Sequence, residues 1–301
     1  MEQNHVNRFF DLDLLPESLK SLSPNSTEWG IATAFIAYAA GDAFGVAHEF
    51  KDQPVTEVLS VLLPKNDWPY GGVSDDTTLS LLTIESIREV SPQAAATKYL
   101  ELLRTAQPAL RGLGPTTRTA LGMYVSPKET HFIGVSNGGM MRTALLGALF
   151  NPSQSVEREA WVKASVSTTH SNPRAIEAAL LLSKSFCDAI AHGDHNRVPA
   201  PPAGWNPPKQ GISLDPMESY YGVLYVASQS DSVESAYVHA CQLGGDTDTV
   251  AALSGALIAL RMRERSGIFE IPWLMDVRWG EIPQLKSALE LMFSRRREWA
   301  R

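Results

Sequence analysis

The stretch that decides the fold is Gly244-Gly245-Asp246-Thr247-Asp248-Thr249-Val250-Ala251-Ala252-Leu253-Ser254-Gly255-Ala256-Leu257. From Thr249 to Arg263 the apolar residues recur at helical spacing. Small residues crowd this run: Ala251, Ala252, Ser254, Gly255, Ala256 and Ala259. Small residues let helices approach closely, so the pattern predicts a central helix. Its head carries two aspartates, one residue apart, behind a glycine pair. A second stretch is locally alike. Gly71-Gly72 precedes Ser74-Asp75-Asp76-Thr77, and helical spacing then runs to Val90.

One aspartate at a helix start is explained by capping. Its carboxylate accepts from free backbone N–H groups and suits the positive end of the dipole. Two doubly acidic, glycine-led helix starts in one chain ask for more. They read as two halves of one hard-cation site: Ser74, Asp75 and Asp76 on one side, Asp246, Asp248 and Thr249 on the other. Oxygen donors without His or Cys favour Mg²⁺, Mn²⁺ or Ca²⁺ over zinc. Four ionised carboxylates balance two divalent cations. Buried together without cations, some would have to protonate. A two-metal centre, with ions about 3.5–4 Å apart, resolves that conflict.

Helical spacing recurs outward from these clusters. It is clear over Trp29–Ala40 (closing at Gly41-Asp42), Met140–Phe150, Arg174–Ala191 and Val233–Gln242. Val55–Leu63 is the one strand-like stretch, and residues 199–208 (PAPPAGWNPP) must form a surface loop. The expected fold is a compact all-α domain over residues 29–301, preceded by an N-terminal extension of residues 1–28. The chain has 301 residues, 44% of them apolar, and a net charge of −7. That suffices for one sizeable core and argues against a general nucleic-acid or membrane-surface binder. Cys187 and Cys241 lie far apart with no CxxC, as in a reduced, cytoplasmic protein. The longest apolar stretch, Ile31–Ala40, is too short to span a bilayer. A monomer is the default expectation.

Three further segments carry candidate chemistry. Gly41-Asp42-Ala43-Phe44-Gly45-Val46-Ala47-His48-Glu49 offers Glu49 as an acid–base group in an apolar setting. His48 reads as a packing or surface residue. Gly134-Val135-Ser136-Asn137-Gly138-Gly139 opens a helix, and its amides suit an anion-binding nest. Gly112 and Gly114 form a weaker glycine loop. His170, in Thr169-His170-Ser171-Asn172-Pro173, is either a ligand contact or a loop brace. Trp205 can stack on a base or pack locally.

GDAFGVAHE, SDDTT, SNGGMMR, THSNP and LGGDTDTVAALSGAL together resemble the ADP-ribosylglycohydrolases, in order and spacing, across roughly residues 29–275. That group includes the dinitrogenase reductase-activating glycohydrolases. The resemblance implies an all-α fold with two Mg²⁺ or Mn²⁺ ions in a cleft. It implies hydrolysis of the bond between ADP-ribose and a protein side chain, arginine before serine. It gives metal-holding roles to Ser74, Asp75, Asp76, Asp246, Asp248 and Thr249, and acid–base work or gating to Glu49. Gly112, Gly114, Gly134, Val135, Ser136, Asn137 and His170 would cradle ADP-ribose. Ser74 stands where many members have Thr, which keeps the hydroxyl. A rival reading is an ADP-ribose or toxin-binding immunity protein without turnover, or with a dual role. Some bacterial members counter ADP-ribosylating toxins, and Phe9, Phe10, Leu14 and Leu15 suit a plug. Retention of both acidic clusters and Glu49 argues against lost chemistry.

Overall fold

The computed structural model describes residues 2–51, 57–193 and 199–300. Among them no strand forms; the β-type pairing is a single parallel bridge between Ile212 and Gly245. The all-α expectation holds. The helices are α1 (Glu2–Asp11), α2 (Thr27–Gly45), α3 (Asp75–Ser86), α4 (Pro92–Ala106), α5 (Pro115–Ala120) and α6 (Gly138–Thr143). They continue with α7 (Ser155–Val166), α8 (Pro173–His192), α9 (Pro216–Gln229), α10 (Val233–Leu243), α11 (Thr247–Met262) and α12 (Leu285–Trp299). Short 3₁₀ turns join several of them. The strand-like stretch is a correction: residues 57–63 are irregular, and Val55 and Thr56 lie outside the described residues.

The pair α2 and α11 forms the centre of the core. Ser26 starts α2 by accepting from Trp29 N at 3.2 Å. Gly41-Asp42 does not end this helix, contrary to the sequence expectation; it runs on to Gly45. Gly41 and Gly45 lie about one turn apart and serve close approach instead of exit. A Cβ on Gly41 would sit 2.7 Å from the Ala251 carbonyl carbon, and one on Gly45 only 2.3 Å from Asp248 Cα. The small residues of α11 answer from the other side, and Thr247 through Leu260 are all buried. Thr27–His48 is long and apolar enough to cross a membrane, but 94% of its apolar window is buried inside the protein. It serves here as a core helix.

The described part of the N-terminal extension turns Phe9, Leu14, Leu15 and Leu19 onto the same body. Phe9 is fully buried, with its ring edge-on to Trp279 at 4.8 Å and to Phe269 at 6.0 Å. Leu14, Leu15 and Leu19 are buried beside it. His5 Nδ1 bonds to Phe269 O at 2.7 Å, and Lys286 pairs with Asp13. Phe10 is half-buried under the Lys20 ammonium. A plug built on Phe9, Leu14 or Leu15 would have to pull them out of this core. Both cysteines are free and buried. Trp205 packs locally, 6.0 Å from Tyr221 and 5.9 Å from Tyr225.

Replacing Phe9 with Ala is expected to lower stability by about 3–5 kcal/mol, the cost of emptying a buried aromatic site. Urea denaturation measures it. A midpoint unchanged from wild type would mean that the extension does not belong to the folded core.

Candidate metal centre and its cleft

Asp42, on the last turns of α2, ties the first acidic cluster in place. Its side chain is fully buried. It accepts from Ser74 N at 2.9 Å, Thr77 N at 3.1 Å and Thr77 Oγ1 at 2.6 Å. These donors belong to the entrance and first turn of α3, where backbone N–H groups have no helical partner. Ser74 caps the same turn by accepting from Asp76 N at 3.0 Å. Asp75 and Asp76 are thereby presented from a fixed helix end.

The second cluster is fixed by the C-terminal end of α2. Thr247 Oγ1 donates to Gly45 O at 2.8 Å. Gly245 has φ +78°, and a Cβ there would collide with Ile212 O at 2.0 Å. Only glycine fits where the chain reverses beside Ile212 before α11 begins. Asp246 N donates to Ile212 O at 2.8 Å, and Phe50 N donates to Gly245 O at 2.8 Å. Asn137 Nδ2 donates to Asp246 Oδ2 and, at 2.8 Å, to Ser219 Oγ.

The two clusters meet in one open cleft. Its lining includes Glu49, Ser74, Asp75, Asp76, Gly112, Gly114, Ser136, Asn137, His170, Asp246, Asp248 and Thr249. Glu49, Asp246 and Asp248 each offer an oxygen, and these atoms all lie within 4.8 Å of one another. Asp76 Oδ2 is buried without a hydrogen-bond partner. An orphaned carboxylate oxygen inside an all-oxygen donor set is what a hard divalent cation would satisfy. Lys65 Nζ contacts Glu49 Oε2 at 2.9 Å, at the half-exposed edge of the cluster.

Burial dominates the electrostatics. It pushes the Asp42 and Asp246 carboxyls up from 3.8 to about 6 each. Asp75 and Asp76 are raised well above the usual carboxylate range, first by burial and then by the Asp42 charge. Asp248 is raised by burial and then by Glu49. The cluster therefore holds protons that a divalent cation would displace.

Two expected residues do not line the cleft: Gly134 and Val135. The expected nest over 134–139 keeps only part of its amides for a ligand. Gly134 N donates to Thr116 Oγ1 at 3.0 Å, Val135 N to Phe132 O at 3.2 Å and Asn137 N to Leu214 O at 3.0 Å. Three of its amides are spent inside the protein. Asn137 instead braces Asp246, and Gly112 stands against Asp75, with a Cβ there 2.9 Å from Asp75 Oδ1. The sequence gives no prior role to Asp42 or Lys65, nor to Trp68, Thr117 and Met141, which also line the cleft. Asp42 has a readable signal, an acidic residue inside an Ala-rich apolar run. Trp68 and Lys65 gave no signal, since their loop has neither period nor motif. His48 packs on Phe44 with ring centroids 5.6 Å apart, as a packing histidine.

A family model described as ADP-ribosylglycohydrolase matches residues 26–206 and 201–298. The ADP-ribosyl-[dinitrogen reductase] glycohydrolase of Rhodospirillum rubrum is 24% identical over 261 residues, covering 80% of this chain and 87% of that protein. A solved structure described as an ADP-ribosylglycohydrolase-related protein complex superposes with a TM-score of 0.66 at 22% identity. That match covers 90% of this chain and 98% of the other, and it speaks for the fold.

The raised carboxyls fix a sign. Between the unfolded value of 3.8 and about 6, folded Asp42 and Asp246 hold protons that the unfolded chain has released. Their contribution to stability therefore falls as pH rises through that window. A divalent cation binds the ionised forms, so the rise in Tm on adding Mg²⁺ should be larger near about pH 7.5 than near about pH 5. Thermal melts at both pH values, with and without Mg²⁺, test this. An equal or reversed increment would separate the cluster from cation binding.

Proposed function

The chain belongs to the ADP-ribosylglycohydrolase family and is a glycohydrolase; we propose that it releases ADP-ribose from a modified protein side chain through a dinuclear Mg²⁺ or Mn²⁺ centre. The observation that carries this reading is the convergence of both acidic helix starts on one cleft, with Asp76 Oδ2 buried and unpartnered. Asp75, Asp76, Asp246 and Asp248 would hold the cations, with the hydroxyls of Ser74 and Thr249. Bound there, the ions would supply positive charge for ribose oxygens and lower the pKa of a water.

The remaining work falls to the protein. Glu49 is the carboxylate of the cleft edge, and Lys65 holds one of its oxygens at 2.9 Å. Its free oxygen would take the proton of the attacking water or help the leaving group depart. The bond from the ribose C1″ to the acceptor breaks, a bond from C1″ to the water oxygen forms, and the acceptor leaves with a proton. Positive charge gathers on the ribose as that bond stretches, and carboxylates around it favour that state. Asp42 and Asn137 do not touch substrate in this scheme. They hold α3 and Asp246 in register, at 2.9 Å to Ser74 N and through the Asn137 amide.

Arginine is the favoured acceptor and serine the second. An arginine-linked substrate brings a guanidinium toward an acidic cleft, and such a cleft attracts cations. The test is a release assay on arginine-linked and serine-linked ADP-ribosyl proteins with Mg²⁺. Release should be faster from arginine and should stop with EDTA. Glu49→Gln should lower kcat by roughly 10²–10⁴-fold, the usual worth of an acid–base group. Release untouched by EDTA, or none from either substrate, would overturn the proposal.

A further inference from the structure

A cation already sits at the edge of the cleft, and it belongs to the chain itself. Lys65 Nζ is 2.9 Å from Glu49 Oε2 and 5.2 Å from the centre of the Trp68 ring. A carboxylate and an aromatic face are the two groups that recognise an organic cation. Glu49 and Trp68 both line the cleft. The Lys65 and Glu49 side chains are 34% and 28% exposed. An ion pair so open to water holds only weakly.

The slot is built more firmly than its occupant is held. Trp68 Nε1 donates to Gly72 O at 3.0 Å, which fixes one edge of the indole. Gly112 closes on the other: a Cβ there would lie 3.5 Å from Trp68 Cη2 and 2.9 Å from Asp75 Oδ1. The ring is thus wedged beside the first acidic cluster. Glu49 is followed by Phe50, whose φ of +43° is rare for a bulky residue. Phe50 N donates to Gly245 O at 2.8 Å, which ties that step to the head of the second cluster. Lys65 opens a reverse turn, with Trp68 N donating to Lys65 O at 3.1 Å and Asp67 at φ +59°. Its ammonium rides on a flexible four-carbon stem, so it can leave while the slot stays. A guanidinium suits the slot better. It is planar, so it lies flat on an indole, and its fork of N–H groups can grip both oxygens of a carboxylate.

We infer that Glu49 and Trp68 form a cation slot for the acceptor side chain, and that Lys65 fills it until a guanidinium displaces it. Lys65 is then an internal stand-in for the substrate's cation, and Trp68 a specificity-determining residue. In the empty cleft the Lys65 charge offsets part of the repulsion among Glu49, Asp246 and Asp248, whose oxygens lie within 4.8 Å of one another. An arginine acceptor exchanges one cation for another and leaves Glu49 paired throughout. A serine acceptor brings no charge and has nothing to exchange for Lys65. The identity of the acceptor rests on the ADP-ribose reading; the exchange of cations at Glu49 and Trp68 does not.

Two measurements test it, both with Mg²⁺ present. The first is an NMR titration with agmatine, a guanidinium on a short alkyl stem. It is followed at the Trp68 indole N–H, the signal missing in Trp68→Phe. Agmatine should shift that signal saturably, and the uncharged N-butylurea should not. Lys65→Met keeps the stem without the charge and should bind agmatine about two- to fivefold more tightly, the worth of a half-exposed ion pair. Lys65→Arg keeps the charge but seats a guanidinium, so it should bind agmatine more weakly than wild type. The second is steady-state release of ADP-ribose. Lys65→Met should lower KM for an arginine-linked protein by a similar factor, and Trp68→Ala should raise it about two- to fivefold. KM for a serine-linked protein should change in neither. An unmoved Trp68 signal, or agmatine affinity that is the same in wild type, Lys65→Met and Lys65→Arg, overturns the proposal. So does an equal change of KM on both substrates. If wild type hydrolyses neither substrate while agmatine behaves as expected, the ADP-ribose reading falls and the cation slot stands.

Discussion

The Asp42 carboxylate, clamped on the first turn of α3, is the interaction on which the site depends. It stands on α2, accepts from two backbone amides and one hydroxyl, and is buried from water. Three donors offset part of the desolvation of a buried carboxylate, and the pKa near 6 shows that burial still outweighs them. The same helix, three residues on, meets the head of α11 at Gly45. The last turn of one helix thus fixes both acidic clusters. Distant parts of the sequence become one site because α2 spaces them.

The cost of this arrangement is charge repulsion held in a dry place. Asp42, Asp75, Asp76, Asp246 and Asp248 are all buried, and all are pushed toward the protonated form. Neither Lys65 nor Arg142 relieves it. Lys65 reaches only Glu49 at the edge, and Arg142 is occupied with Ser165, Thr168, Thr169 and the Tyr99 ring. Such a cluster is stable in its ionised form only with positive charge inside it. That is the physical basis of the proposed two-cation centre.

Much of this was legible in the sequence, and the rest was hidden for definite reasons. Glycine-led aspartate pairs before helical periods mark both halves of the site, because capping and the helix dipole leave a local trace. Small residues on α11 announce close packing. Gly41 and Gly45 suit either a helix exit or a close backbone approach, and only α11 placed against them selects the second. Asp42 is visible as a residue but not as a clamp, since its three partners lie 32 and 35 residues away. Lys65 and Trp68 sit in a loop whose position follows from tertiary packing alone. The glycine segment 134–139 showed its flexibility in sequence but not that three of its amides would be satisfied internally.

The most direct test of the account is Mn²⁺ binding to metal-free protein, wild type against Asp42→Asn, by titration calorimetry. Asp42 is assigned no cation, so it can alter affinity only by holding α3. Weakening its charge-assisted hydrogen bonds should reduce Mn²⁺ affinity by roughly tenfold or more, with the helical circular dichroism retained. Unchanged Mn²⁺ affinity in a folded Asp42→Asn protein, or no Mn²⁺ binding by wild type at all, would contradict it.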